Sequence, residues 1–169
     1  MLAVRRLRVA DAAAYRDIRL EALARHPEMF GSSLDRESAW TEADVAEKLE
    51  GDFRTFGGFE DGALLAVAGW HPKRLESDEV VAAVNAVYCR PAARGSGIID
   101  KVIEAIRDDA RGSAERMRAA VAIYNAGGRR FFEKLGFEPA AETWTAEKMG
   151  LRLHGDPDAV EIVDYFARI

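Results

Sequence analysis

Apolar and polar positions alternate over the first nine residues, where Leu2, Val4, Leu7 and Val9 flank arginines, and this pattern predicts a short strand. The spacing then changes. Tyr15, Ile18, Ala22 and Leu23 recur at helical intervals behind Asp11, a capping residue, and His26-Pro27 ends the pattern, so a helix is expected from Ala12 to about Arg25. A loop carrying Phe30, Gly31, Ser32 and Ser33 follows. Thr41 then caps a second helix, with Asp44 at the third helical position and Trp40 set to pack on Val45. From Phe53 the segments FRTFGGF and ALLAVAGW flank an Asp61-Gly62 turn and predict a hairpin. His71 to Glu79 is polar and reads as a loop, whereas Val80 to Cys89 is apolar enough for a central strand.

The second half carries the strongest periodicity. Ile98, Ile99, Val102, Ile103, Ile106 and Ala110 form one stripe, with Asp100, Lys101, Glu104, Arg107 and Asp108 outside it, as in a helix packed on a sheet. Arg118 to Tyr124 reads as a strand. Asn125 caps a short helix that Gly136 stops, and Gly127 and Gly128 weaken that helix by about 1 kcal/mol each relative to alanine. Strands are expected near Glu142 to Thr145 and Lys148 to Leu153. A terminal helix is expected from Pro157 to Ala167, with Val160, Val163 and Phe166 on one side, inside a C-terminal extension over 155–169.

A chain of 169 residues has room for one domain, 1–169, with a real core. Hydrophobic residues make up 49% and charged residues 31%, which excludes a disordered chain. The net charge of −5 argues against a nucleic-acid binder. Cys89 is the only cysteine, so neither an intrachain disulfide nor a cysteine zinc site is available. The N-terminus lacks the pattern of a secretory signal and no segment approaches a membrane span, so a cytoplasmic protein without a membrane partner is expected. His26, His71 and His154 lack metal-ligand spacing, and no metal is expected.

Candidate chemistry concentrates after the central strand, in Arg94, Gly95, Ser96, Gly97, Ile98 and Ile99. Glycines let the backbone turn and bring N–H groups to an anion, and the start of a helix adds unpaired N–H groups and partial positive charge. Arg94 adds a cation. The spacing is neither a Walker A loop nor G-x-G-x-x-G. On these residues alone the loop is either a phosphate or nucleotide site or a purely geometric joint.

Two separated motifs decide further. VYCRPAARGSGI and NAGGRRFFEKLGF, with the order of predicted elements from about Leu2 to Leu153, resemble the GNAT superfamily of acyl-CoA-dependent N-acetyltransferases. The resemblance implies an α/β (α+β) fold: a mixed, mostly antiparallel sheet of about seven strands with helices on both faces. It implies acetyl-CoA as co-substrate, its pyrophosphate on backbone N–H groups from Arg94 to Ile99. It places Val87, Tyr88 and Cys89 on a splayed strand beside the pantetheine arm and gives Asn125 a contact to the coenzyme. The acceptor would be a small-molecule or peptide amine, and the family's habit of pairing through the last strands leaves room for a homodimer. Two positions depart from the pattern. Phe132 stands where the family often has a proton-donating tyrosine, and Ile99 where it has glycine or alanine. Tyr124 and Tyr88 are the substitutes in view. No residue identifies itself as the base; Glu21, Asp35, Glu37, Glu60 and His71 lie on segments that border the acceptor cleft in the family, and Phe30, Ser32 and Ser33 are candidates for acceptor contacts. An acyl-CoA-binding module without turnover is the competing expectation.

Overall fold

The computed structural model of the chain describes residues 1–145 and 160–169. Its strands are β1 (Leu2–Arg6), β2 (Arg54–Glu60), β3 (Ala63–Arg74), β4 (Val80–Cys89), β5 (Arg116–Ala122), β6 (Glu138–Thr145) and β7 (Glu161–Arg168). They form one sheet in the order β1-β2-β3-β4-β5-β7-β6. Each neighbouring pair is antiparallel except β4 and β5. The hairpin expected at Asp61-Gly62 is present: Glu60 faces Ala63 and both turn residues have positive φ, the geometry that asparagine, aspartate and glycine tolerate.

Among the described residues five α-helices cover the two faces: α1 (Ala12–Arg25), α2 (Leu34–Ser38), α3 (Glu42–Glu50), α4 (Ile98–Ala110) and α5 (Ala126–Lys134). On one face Leu7, Ile18, Leu23, Val45 and Leu49 bury against Val67 and Tyr88. On the other, the α4 stripe of Ile98, Val102, Ile103 and Ile106 joins Trp70, Met117, Phe132 and Tyr165. The α3 start is the expected capping box, with Asp44 N–H donating to the Thr41 hydroxyl and Thr41 N–H donating to the Asp44 carboxylate. No helix among the described residues is long and apolar enough to cross a membrane.

The C-terminus corrects the sequence expectation. Glu161–Arg168 is a strand, not part of a helix, and it lies between β5 and β6. The reason is the period. Val163, Tyr165 and Ala167 alternate into the α4–α5 core, while Ile162 packs on the opposite face with Ala122 and Val160. EIVDYFAR is rich in β-branched and aromatic residues, and it pairs with β5 on one edge and β6 on the other, partners remote in sequence. The expected strand at Lys148 to Leu153 and the helix start at Asp156-Pro157 lie outside the described residues. The expected loop after His71 begins later, because β3 runs on to Arg74. The short helix α2 had no periodic signal of its own.

One irregularity positions the site. Strands β4 and β5 pair only through Ala82–Met117, Ala83–Arg118 and Val84–Ala119, and then part. At the same place β4 slips against β3 between Val67 and Gly69, and Ala86 takes φ 55. An extra residue on β4 bends it away from β5, as a β-bulge does.

Candidate active site

The gap between the parted strands opens into a cleft of about 1130 Å³. Val87, Tyr88 and Cys89 of β4, Arg94, Gly95, Gly97 and Ile99 of the loop, and Asn125 and Phe132 of the β5–α5 side all line it. Ser96 and Ile98 do not. The Ser96 hydroxyl donates to Ala93 O at 2.7 Å and accepts from Ile98 N–H at 3.3 Å, Ser96 N–H donates to Ala93 O at 3.3 Å, and the Ile98 side chain is buried against Gly58, so both residues hold the loop together from inside. Ile99 is half-buried, packed against the α4 core while also touching the cleft.

The loop has a geometry open to an anion. Gly95 and Gly97 have φ of 82 and 80, in the left-handed region that L side chains rarely adopt. A Cβ on either would meet nothing within 4 Å, so the conformation, not crowding by the protein, demands glycine there. Gly97 caps α4, and the N–H groups of the first helical turn have no helical acceptor. Arg94 is braced over the entrance by its own bond to Cys89 O at 3.2 Å and by His26 Nε2 at 3.3 Å.

Across the cleft, the Asn125 side chain accepts from Gly128 N–H at 2.8 Å and caps α5. A Cβ on Gly128 would come within 2.6 Å of Asn125 Nδ2, so this glycine exists to let the cap close. Phe132 is 6% exposed and stacks edge-on with Phe131 and Phe137, and it carries no group able to donate a proton.

Neither substitute tyrosine is free. Tyr124 donates to Glu28 O at 2.7 Å, and burial raises its hydroxyl above the ordinary phenol value. Tyr88 donates to Glu21 Oε1 at 2.8 Å; burial, then the Glu21 carboxylate, push its pKa from near 10 up to about 12, too weak an acid to match a departing thiolate. Since the folded value lies above the unfolded one, Tyr88 stabilises the fold fully below about pH 10, and that contribution is lost as pH rises toward 12. Tyr88→Phe should therefore lose less stability than the unaltered protein between pH 10 and 12, measured by urea unfolding; parallel losses would show that Tyr88 does not titrate in that window.

The candidate bases separate in the same way. Glu21 also meets Arg90 at 3.2 Å and does not line the cleft. Asp35 and Glu60 are exposed outside it. His71 stacks on Phe53 at 5.8 Å, beyond the cleft lining, and burial with Lys73 and Arg118 lowers its pKa. Only Glu37 faces the cleft, and both its oxygens are taken by Arg19, at 2.9 and 2.8 Å. Of the acceptor candidates, Phe30 and Ser32 line the cleft, whereas Ser33 caps α2, its hydroxyl accepting from Arg36 N–H. Sequence reasoning missed Arg16, Arg19, Trp40 and Phe53, which line the wall formed by α1, α2 and the segment before β2. Arg16 and Arg19 are one helical turn apart, the only signal available.

The parted parallel pair beside a glycine loop belongs to a fold shared with solved acetyltransferase structures. A structure of an acetyltransferase of the GNAT family from Streptococcus pneumoniae matches with TM-score 0.75 at 14% identity, covering 100% of this chain and 99% of that one. Ribosomal-protein-alanine N-acetyltransferase from Brucella melitensis matches with TM-score 0.70 at 18% identity, covering 99% of each chain. The structure of yncA from Salmonella typhimurium with its cofactor acetyl-CoA matches with TM-score 0.71 at 21% identity, covering 99% of this chain and 94% of that one. No curated protein matches the chain. The family model described as Acetyltransferase (GNAT) family matches residues 15–137, and the chain belongs to that family.

Proposed function

We propose that the protein is an N-acetyltransferase, one domain over 1–169, that transfers the acetyl group of acetyl-CoA to a primary amine of a small molecule or peptide in a ternary complex. The observation that carries this reading is the left-handed Gly95–Gly97 loop opening α4 beside the stretch of β4 that has left β5. The N–H groups of Gly95, Gly97 and Ile99, with the Arg94 guanidinium, hold the pyrophosphate, those of Arg94, Ser96 and Ile98 being bonded within the loop; the unpaired edge of Val87 to Cys89 takes the pantetheine arm, and Asn125 contacts the coenzyme from the other side. Bound acetyl-CoA supplies an activated thioester: as the neutral amine forms the C–N bond the C–S bond breaks to thiolate, and the proton lost from nitrogen passes through water to that thiolate, giving the amide and the free CoA thiol. The β4 edge freed at the bulge offers main-chain N–H groups to the developing oxyanion, and the cleft supplies orientation.

Calorimetric titration with acetyl-CoA and with ATP, followed by thiol release with an amine panel, tests the reading. Acetyl-CoA binding with release of CoA is expected; preference for ATP overturns it. Phe132 favours a second reading, a binding module without turnover, which predicts tight binding and no release with any amine. The two meet in Phe132→Tyr. If thiolate departure limits the rate, this variant keeps the affinity for acetyl-CoA and raises turnover about tenfold or more.

A further inference from the structure

The acceptor wall holds a cation that the fold has positioned without neutralising. Arg16 Nε donates to Trp40 O at 3.1 Å and its Nη2 to Ser38 O at 3.0 Å, so one edge of the fork is fixed by main-chain carbonyls. Among the described residues Arg16 has no carboxylate partner and its Nη1 has no acceptor. Its neighbour one turn on is different: Arg19 spends its charge on Glu37, a pair in which both side chains are largely enclosed. At the rim, Lys48 lies 4.2 Å from the Trp40 ring centre, and Asp52 lines the cleft near it in sequence. Of the two arginines in this wall, the one without a carboxylate partner among the described residues is Arg16.

Two buried polar atoms in the same wall point the same way. Arg19 Nη1 and Ser32 Oγ are enclosed with no hydrogen-bond partner, and such orphans in a native fold mark groups kept for a ligand or a change of state. Tyr15, Phe30, Trp40 and Phe53 give the same wall an aromatic surface. A planar guanidinium with one edge fixed and the other spare is suited to a carboxylate, while the aromatic surface is suited to an apolar body.

From this we infer that the acceptor is a small amine that also carries a carboxylate, and that Arg16 binds that carboxylate while the amine faces the bulge of β4. The inference rests on the N-acetyltransferase reading above.

Phenylalanine and phenethylamine, which differ by the carboxylate, separate the possibilities. Their binding to the CoA complex is measured by calorimetry, and their acetylation by CoA release, in the unaltered protein and in Arg16→Gln. A lower KM and tighter binding for phenylalanine are expected. In Arg16→Gln the KM for phenylalanine should rise about tenfold or more, as for a lost charged hydrogen bond, and that for phenethylamine less than about twofold. Arg16→Lys, which keeps the charge and loses the fork, should fall between and serves if Arg16→Gln does not fold. Equal binding of the two compounds, or equal losses in Arg16→Gln, overturns the inference. Preference for an amidated peptide with an acidic second residue over phenylalanine also overturns it, in favour of a peptide acceptor. Carboxylate-selective binding with no acetylation of any amine overturns the transferase reading instead and leaves the carboxylate site standing.

Discussion

Gly97→Val is expected to lower acetyl-CoA affinity by roughly a hundredfold or more, as several charge-assisted hydrogen bonds to the loop are lost together. Two effects act at one atom. Gly97 sits at φ 80, where a β-branched residue is strained by about 1–3 kcal/mol, so the backbone relaxes and the first turn of α4 loses its seat. The new side chain also projects into space that the protein leaves open, the space assigned to the pyrophosphate. Gly62→Val separates the two effects. Gly62 has φ 84 and equally open surroundings, but it lies in the β2–β3 turn, far from the cleft lining. It should show the backbone cost in urea unfolding with coenzyme affinity unchanged. Calorimetry on both variants decides: a folded Gly97→Val that binds acetyl-CoA normally removes the loop from the site.

The elements legible in the sequence are those whose cause is local. The α4 stripe needs only its own spacing, the α3 start only Thr41 and Asp44, and the hairpin only Asp61-Gly62. The loop glycines are likewise local, since their positive φ is a property of the turn itself. What escaped is decided at a distance. β7 is a strand because β5 and β6 receive it on either side, and the spacing of Val160, Val163 and Phe166 carries no trace of those partners. The bulge at Ala86 has no turn residue to announce it, because it arises from pairing with β3 continuing where pairing with β5 stops. Gly128 looked like a weak first turn, and its reason is the Asn125 side chain lying against it. The same limit applies to the acceptor wall. Arg19 and Glu37 are 18 residues apart, and only the approach of α2 to α1 turns two charges into one enclosed pair.

Trp70→Ala is expected to cost about 3–5 kcal/mol, a large share of the 5–15 kcal/mol that holds a domain of this kind together. Trp70 is 0% exposed, in the same core cluster as Ile103 and Ile106 of α4. The hole cannot close easily, because β3 is hydrogen-bonded on both edges, to β2 and to β4. The indole also ties down the far end of α4: its Nε1–H donates to Asp109 at 2.9 Å, and Arg54 donates to the same carboxylate oxygen at 3.1 Å. Trp70→Phe keeps most of the packing and loses that bond, so its cost should be smaller, about 1–3 kcal/mol including the charged acceptor it leaves behind. Urea unfolding of the two variants apportions packing and tether. The functional consequence follows from α4 being a single rigid rod: the helix whose first turn is the proposed anion seat is held at its last turn by β3. Coenzyme affinity in folded Trp70→Ala should therefore fall, but far less than in Gly97→Val, since the loop keeps its glycines. A cost below about 1 kcal/mol would show that α4 is seated by its aliphatic stripe alone.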